Sequence, residues 1–136
     1  MTRSSRILSA LGALLGVLAV APAPTAFAHA GLDSSTPAAN SVLEAPPTEV
    51  VLDFDETVEV SLAQIELYDS TGALLRVGAP RHGTDDSVVV APLPALQDGL
   101  YGVVWRTSSV DGHPVSGSFA FQVGTAVGTD PVAFLD

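Results

Sequence analysis

From residue 50 onward, apolar and polar side chains alternate in short runs with a period of two. Val50, Leu52 and Phe54 share one face, while Val51, Asp53 and Asp55 share the other. That is the pattern of a strand that buries one side. Residues 64–68 repeat it, with Ile65 and Leu67 opposed to Glu66. A Ser70-Thr71-Gly72 turn leads to a further run at 73–77, and Pro80, Gly83, Asp85 and Asp86 mark residues 78–86 as an exposed loop. Residues 87–91 form a β-branched run closed by Pro92 and Pro94. After the Gln97-Asp98-Gly99 turn, residues 100–107 place Tyr101, Val103 and Trp105 together, which assigns Trp105 to the core. Residues 115–123 do the same for Phe119, Phe121 and Val123. Helix enters only as a single turn near residues 40–43, and Pro46-Pro47 opens the second strand. About seven strands at roughly ten-residue spacing, without a helical period, predict an all-β fold, an antiparallel sandwich or small barrel.

The first 28 residues follow a different pattern. Arg3 and Arg6 precede an apolar stretch at 7–20, Pro22 and Pro24 follow, and Ala26-Phe27-Ala28 closes the segment. This order reads as a secretory signal cleaved after Ala28. The apolar stretch falls short of the roughly 20 residues that a membrane-spanning helix requires, and the prolines break its continuation. The expectation is an exported protein, placed in the periplasm or outside the cell envelope. It has one domain at 29–124 and a C-terminal tail at 125–136. Cleavage would also leave a free α-amino group on His29.

Composition narrows the partners. The 136-residue chain carries no Cys, one Met (Met1) and a formal net charge of −10. All fifteen Asp and Glu lie from Asp33 onward, Lys is absent, and beyond the signal only Arg76, Arg81 and Arg106 are basic. So few cations cannot neutralise phosphates, which argues against nucleic acid as a partner. An acidic field favours cations instead. Without Cys there is no disulfide, no thiolate zinc site and no thiol nucleophile. Without Met beyond the signal there is no thioether cluster for Cu(I). A metal bound here must be held by nitrogen and oxygen.

Three histidines are present: His29, His82 and His113. At the start of a processed chain, the α-amine and Nδ1 of His29 can close a six-membered chelate on one ion. Such a chelate suits a tetragonal metal, above all Cu(II), which stands highest in the Irving–Williams order. The second element is Asp111-Gly112-His113-Pro114. In an extended segment, residues two apart point to the same side, about 7 Å between Cα atoms, so carboxylate and imidazole can converge. Taken alone, Asp-Gly is also a common turn pair. His82, in Arg81-His82-Gly83, reads as a solvated loop residue.

Together these elements resemble a known family. The run His29-Ala30-Gly31-Leu32-Asp33-Ser34-Ser35-Thr36-Pro37 is similar to the mature start of the periplasmic copper-resistance protein CopC family. The segment from Tyr101 through Trp105, Ser108, Ser109, Asp111, His113 and Gly117 to Phe119 resembles that family's closing signature. The resemblance implies a seven-stranded Greek-key β-barrel or sandwich, immunoglobulin-like in outline, that binds one Cu(II) ion and is not an enzyme. By the same resemblance His29, Asp111 and His113 are the metal ligands, with Glu56 as an outer-shell or weakly axial group. A CopD-like membrane copper transporter is the implied partner of a monomeric chain. Some relatives carry a Met-rich Cu(I) site, which this composition lacks.

Two other readings use the same residues. A terminal His with a second His also describes the copper brace of lytic polysaccharide monooxygenases, although Asp111 would occupy the position that O₂ requires. A metal-free immunoglobulin-like interaction module is the other.

Overall fold

The structure, a computed structural model, describes residues 31–125. The expected signal, His29 and nearly all of the expected tail lie outside the described residues. Nine strands follow in order: β1 (Leu32–Thr36), β2 (Val42–Leu43), β3 (Glu49–Phe54), β4 (Gln64–Asp69), β5 (Leu74–Leu75), β6 (Arg81–His82), β7 (Val88–Pro92), β8 (Gly99–Ser108) and β9 (Pro114–Val123). A single 3₁₀ turn, Val60–Leu62, precedes β4.

These strands form two sheets, in the orders β1-β3-β7-β6 and β2-β9-β8-β4-β5. Each sheet has edges, so the architecture is the sandwich rather than a closed barrel. The predicted alternation is what packs it. Val50, Leu52 and Phe54 from β3 meet Tyr101, Val103 and Trp105 from β8 and Phe119, Phe121 and Val123 from β9 in one core. Trp105 is 5% exposed and meets Phe54 edge to face, with ring centroids 5.2 Å apart. Such a pair contributes beyond its buried area.

Four local readings are corrected. The expected helical turn at 40–43 is instead a turn with Asn40 at φ 61°, followed by β2, which pairs in parallel with β9. The run at 73–77 contracts to β5, a two-residue edge strand against β4. His82 is no solvated loop residue: it lies on β6 opposite Val89, and its Nδ1 is buried. The strand count rises from seven to nine among the described residues, because short edge pairings carry too few residues to show a period.

The β8–β9 hairpin positions everything that follows. Its ten rungs run without a break from Gly99↔Val123 to Ser108↔Pro114. The five-residue connection, 109–113, therefore projects from the end of the longest ladder in the fold.

Candidate metal centre

That connection carries Asp111 and His113. Ser109 accepts at its carbonyl from the Gly112 N–H (2.9 Å) and donates its own N–H to the His113 carbonyl (3.0 Å). Gly112 adopts φ 92° with open space around it, a conformation that L side chains avoid. The two side chains converge through this tight turn. The spacing argument expected the two side chains to share one side of an extended segment; they meet through a turn instead, where strand periodicity does not operate.

Asp111 Oδ2 lies 2.9 Å from His113 Nδ1, and both side chains are about half exposed. Asp111 Oδ1 faces the other way. It accepts from the Ser109 hydroxyl and from the His113 N–H (3.2 Å). Hydrogen bonds from Ser109, then from the His113 side chain, then from the His113 backbone pull the Asp111 pKa down to about 2. Donors that favour the charged form have this effect. The carboxylate is therefore ionised, anchored at one oxygen and open to an ion at the other.

One further segment meets this loop and carries another behind it. Val58 forms an antiparallel bridge with Ser109, the Glu59 N–H donates to the Ser108 carbonyl (2.8 Å), and the Thr107 hydroxyl donates to the Glu59 carbonyl (3.1 Å). Residues 55–59 are thus fastened to the end of β8. Their other end holds Gly31: Asp55 donates its N–H to the Gly31 carbonyl (3.0 Å) and accepts the Gly31 N–H at Oδ1 (2.6 Å).

Glu56 lies between those two attachments. Its Oε1 is buried without a hydrogen-bond partner, an arrangement that is costly for a carboxylate unless a cation or donor faces it. His82, the remaining histidine, stands apart on β6, where it helps hold the Glu59 carboxylate below its ordinary pKa, after the larger effect of Ser61.

Among the described residues, no three His, Cys, Asp or Glu side chains assemble into a cage for a metal. Asp111 and His113 form a pair, Glu56 is a separate, partly exposed carboxylate with one buried oxygen, and His29 lies outside the described residues. Sequence reasoning missed Ser109 and Asp55. Ser109 carried a usable signal, because Ser-x-Asp-Gly spells a turn in which side chains bond nearby backbone and one another.

Residues 32–124 match the CopC domain family profile. The chain belongs to the CopC family. It is 36% identical over 118 residues to Copper resistance protein C of Escherichia coli, covering 81% of this chain and 93% of that one. It is 35% identical over 106 residues to Copper transport protein CutJ of Bacillus subtilis (strain 168). That match takes in 76% of this chain but only 20% of CutJ. Among solved structures, CopC from Methylosinus trichosporium OB3b superposes with a TM-score of 0.65 at 33% identity. That superposition covers 70% of this chain and 93% of that structure. These solved and curated relatives carry the β-sandwich assignment and the copper-protein context together.

Proposed function

We propose that this chain is an exported copper-handling protein that binds one Cu(II) ion and sequesters it or passes it on. The ion would be held by the amine and Nδ1 of His29, by Asp111 and by His113, with Glu56 as an outer-shell or weakly axial group. The observation that carries this reading is the 2.9 Å separation between Asp111 Oδ2 and His113 Nδ1. The turn thereby holds a carboxylate oxygen and an imidazole nitrogen side by side, where both can reach one ion, and such a donor set suits Cu(II).

Chain reach supports a role for His29. It is two residues from Gly31, and two residues span at most about 7 Å. Gly31 is in turn fixed to Asp55, on the segment that bridges to Ser109. Binding would require a deprotonated terminal amine and neutral imidazoles, so it couples to pH. The donors are nitrogen and carboxylate oxygen with no thioether beyond Met1, which favours the cupric over the cuprous ion.

A membrane transporter is the proposed recipient. The support is CutJ, a copper transport protein of which the matched segment makes up only 20%. The acidic chain would speed cation capture without choosing among cations. The test is a Cu(II) titration with electron paramagnetic resonance on the protein purified after export, together with its intact mass. Three nitrogen donors on a chain that begins at His29 are the expected result. A chain starting elsewhere, or one indifferent to Cu(II), overturns the reading.

A further inference from the structure

Copper ligation by Asp111 and His113 leaves one feature of their loop unexplained. Ser109 is 2% exposed, yet its hydroxyl is directed at the carboxylate of the exposed Asp111. We propose that Ser109 is a positioning residue for the metal. Its hydroxyl holds Asp111 Oδ1 so that Oδ2 alone is presented beside the His113 imidazole, which fixes the carboxylate as a one-oxygen ligand. The inference rests on the reading of Asp111 and His113 as ligands.

Three contacts immobilise Ser109 itself: the bridge to Val58, its N–H to the His113 carbonyl, and its carbonyl to the Gly112 N–H. A hydroxyl on so fixed a backbone has few orientations. It lies 3.5 Å from the His113 carbonyl, and Asp111 Oδ1 is its closer partner. With the His113 N–H on the same oxygen, Oδ1 carries two donors. Rotating the carboxylate to chelate through both oxygens, or to turn Oδ1 toward an ion, would break them. Groups that orient a ligand in this way typically change metal affinity by 10–100-fold.

The neighbouring Ser108 supplies an internal control. It is buried to a similar degree, at 8% exposure, and its hydroxyl donates to the Ser109 carbonyl (3.1 Å) and the His113 carbonyl (3.3 Å). It therefore supports the same turn without touching Asp111.

The experiment is a Cu(II) titration of the exported protein carrying Ser109→Ala, Ser109→Thr or Ser108→Ala. Ser109→Ala is also combined with Asp111→Ala. Ser109→Ala is expected to weaken Cu(II) binding by about 10–100-fold and to alter the paramagnetic resonance spectrum. Ser109→Thr restores both, and Ser108→Ala leaves them in place. In the Asp111→Ala background, Ser109→Ala costs nothing further, because the residue through which it acts is gone. An equal cost in both backgrounds assigns Ser109 to turn stability alone and overturns the inference. A second measurement needs no Ser109 variant. Infrared difference spectra of Cu(II)-loaded against metal-free protein, with Asp111→Asn locating the band, read the carboxylate stretches. A wide splitting marks the one-oxygen ligand expected, and a narrow one marks chelation and overturns the inference. A wild type that ignores Cu(II) removes the site reading itself. A wild type that loses Cu(II) with Asp111→Ala yet is indifferent to Ser109→Ala removes only the positioning role.

Discussion

Gly31 and Asp55 are joined twice, by the Asp55 N–H to the Gly31 carbonyl and by the Gly31 N–H to Asp55 Oδ1. The first described residue of the chain is thereby fixed to the segment that also bridges to Ser109. Placing Ala between Ala28 and His29 moves the terminal amine off the imidazole that completes the proposed chelate. A ligand that binds only the folded state stabilises it by about 4 kcal/mol at a thousand times its dissociation constant. The inserted residue is expected to abolish most of the Cu(II)-induced rise in melting temperature, measured by calorimetry, while leaving the metal-free melting temperature unchanged.

His113→Ala removes a proposed donor outright. Its effect on Cu(II) affinity is expected to exceed the roughly 100-fold upper range for an outer-shell group. Asp111→Asn keeps the shape but not the charge, and is expected to fall between the two. Calorimetric titration reads the affinities. Unchanged affinity in His113→Ala would point to the metal-free interaction module instead.

Acid acts on the site through its nitrogens. Asp111 is held at about pH 2, so it remains a carboxylate across the range in which ordinary imidazoles and amines, near 6.5 and 8, take up protons. Cu(II) affinity is expected to fall steeply below roughly pH 6. Equal affinity at pH 5 and 7.5 would contradict these ligands. In the metal-free protein a depressed carboxylate stabilises the fold above its unfolded value near 3.9 and loses that effect as pH falls through about 2. The melting difference between wild type and Asp111→Asn is therefore expected to shrink as pH falls from about 4 toward 2.

Glu56→Gln is expected to move two quantities in opposite directions. Oε1 is buried without a partner, so a neutral amide relieves an unpaired charge and raises metal-free stability. The same change removes a negative charge beside the proposed ion and weakens Cu(II) binding. Thermal melts and titrations on one preparation check both signs, and a loss on both counts would assign Glu56 to the fold alone.

Gly117→Ala tests the core under the site. A Cβ at Gly117 would come within 2.6 Å of Trp105 Cζ2 and 3.1 Å of Nε1. Overpacking of this kind typically costs about 1–3 kcal/mol. Lowered stability by chemical denaturation is the expected outcome, with Trp105 fluorescence shifted.

Period-two alternation marked the buried face of β3, because burying one side of a strand dictates every second residue; in β8 it holds only over Val103–Thr107, since Leu100–Val103 and Phe119–Val123 are buried on both faces. The Asp-x-His pair was legible for a similarly local reason: two donors separated by one glycine can share an ion in few other ways. Alternation says which face is buried, not which neighbour a strand takes. The parallel pairing of Val42–Leu43 with β9 and the capture of Arg81–His82 by β7 involve two residues each, too short for any period, and were decided by the open edge of each sheet, β9 in one and β7 in the other. The site shows the same division. Residue chemistry alone named His29, Asp111 and His113 as candidates, and the family resemblance added Glu56. Only the folded chain turned Asp111 Oδ1 toward a buried serine and Oδ2 toward an imidazole, because the β8–β9 ladder ends where the 109–113 turn has to close.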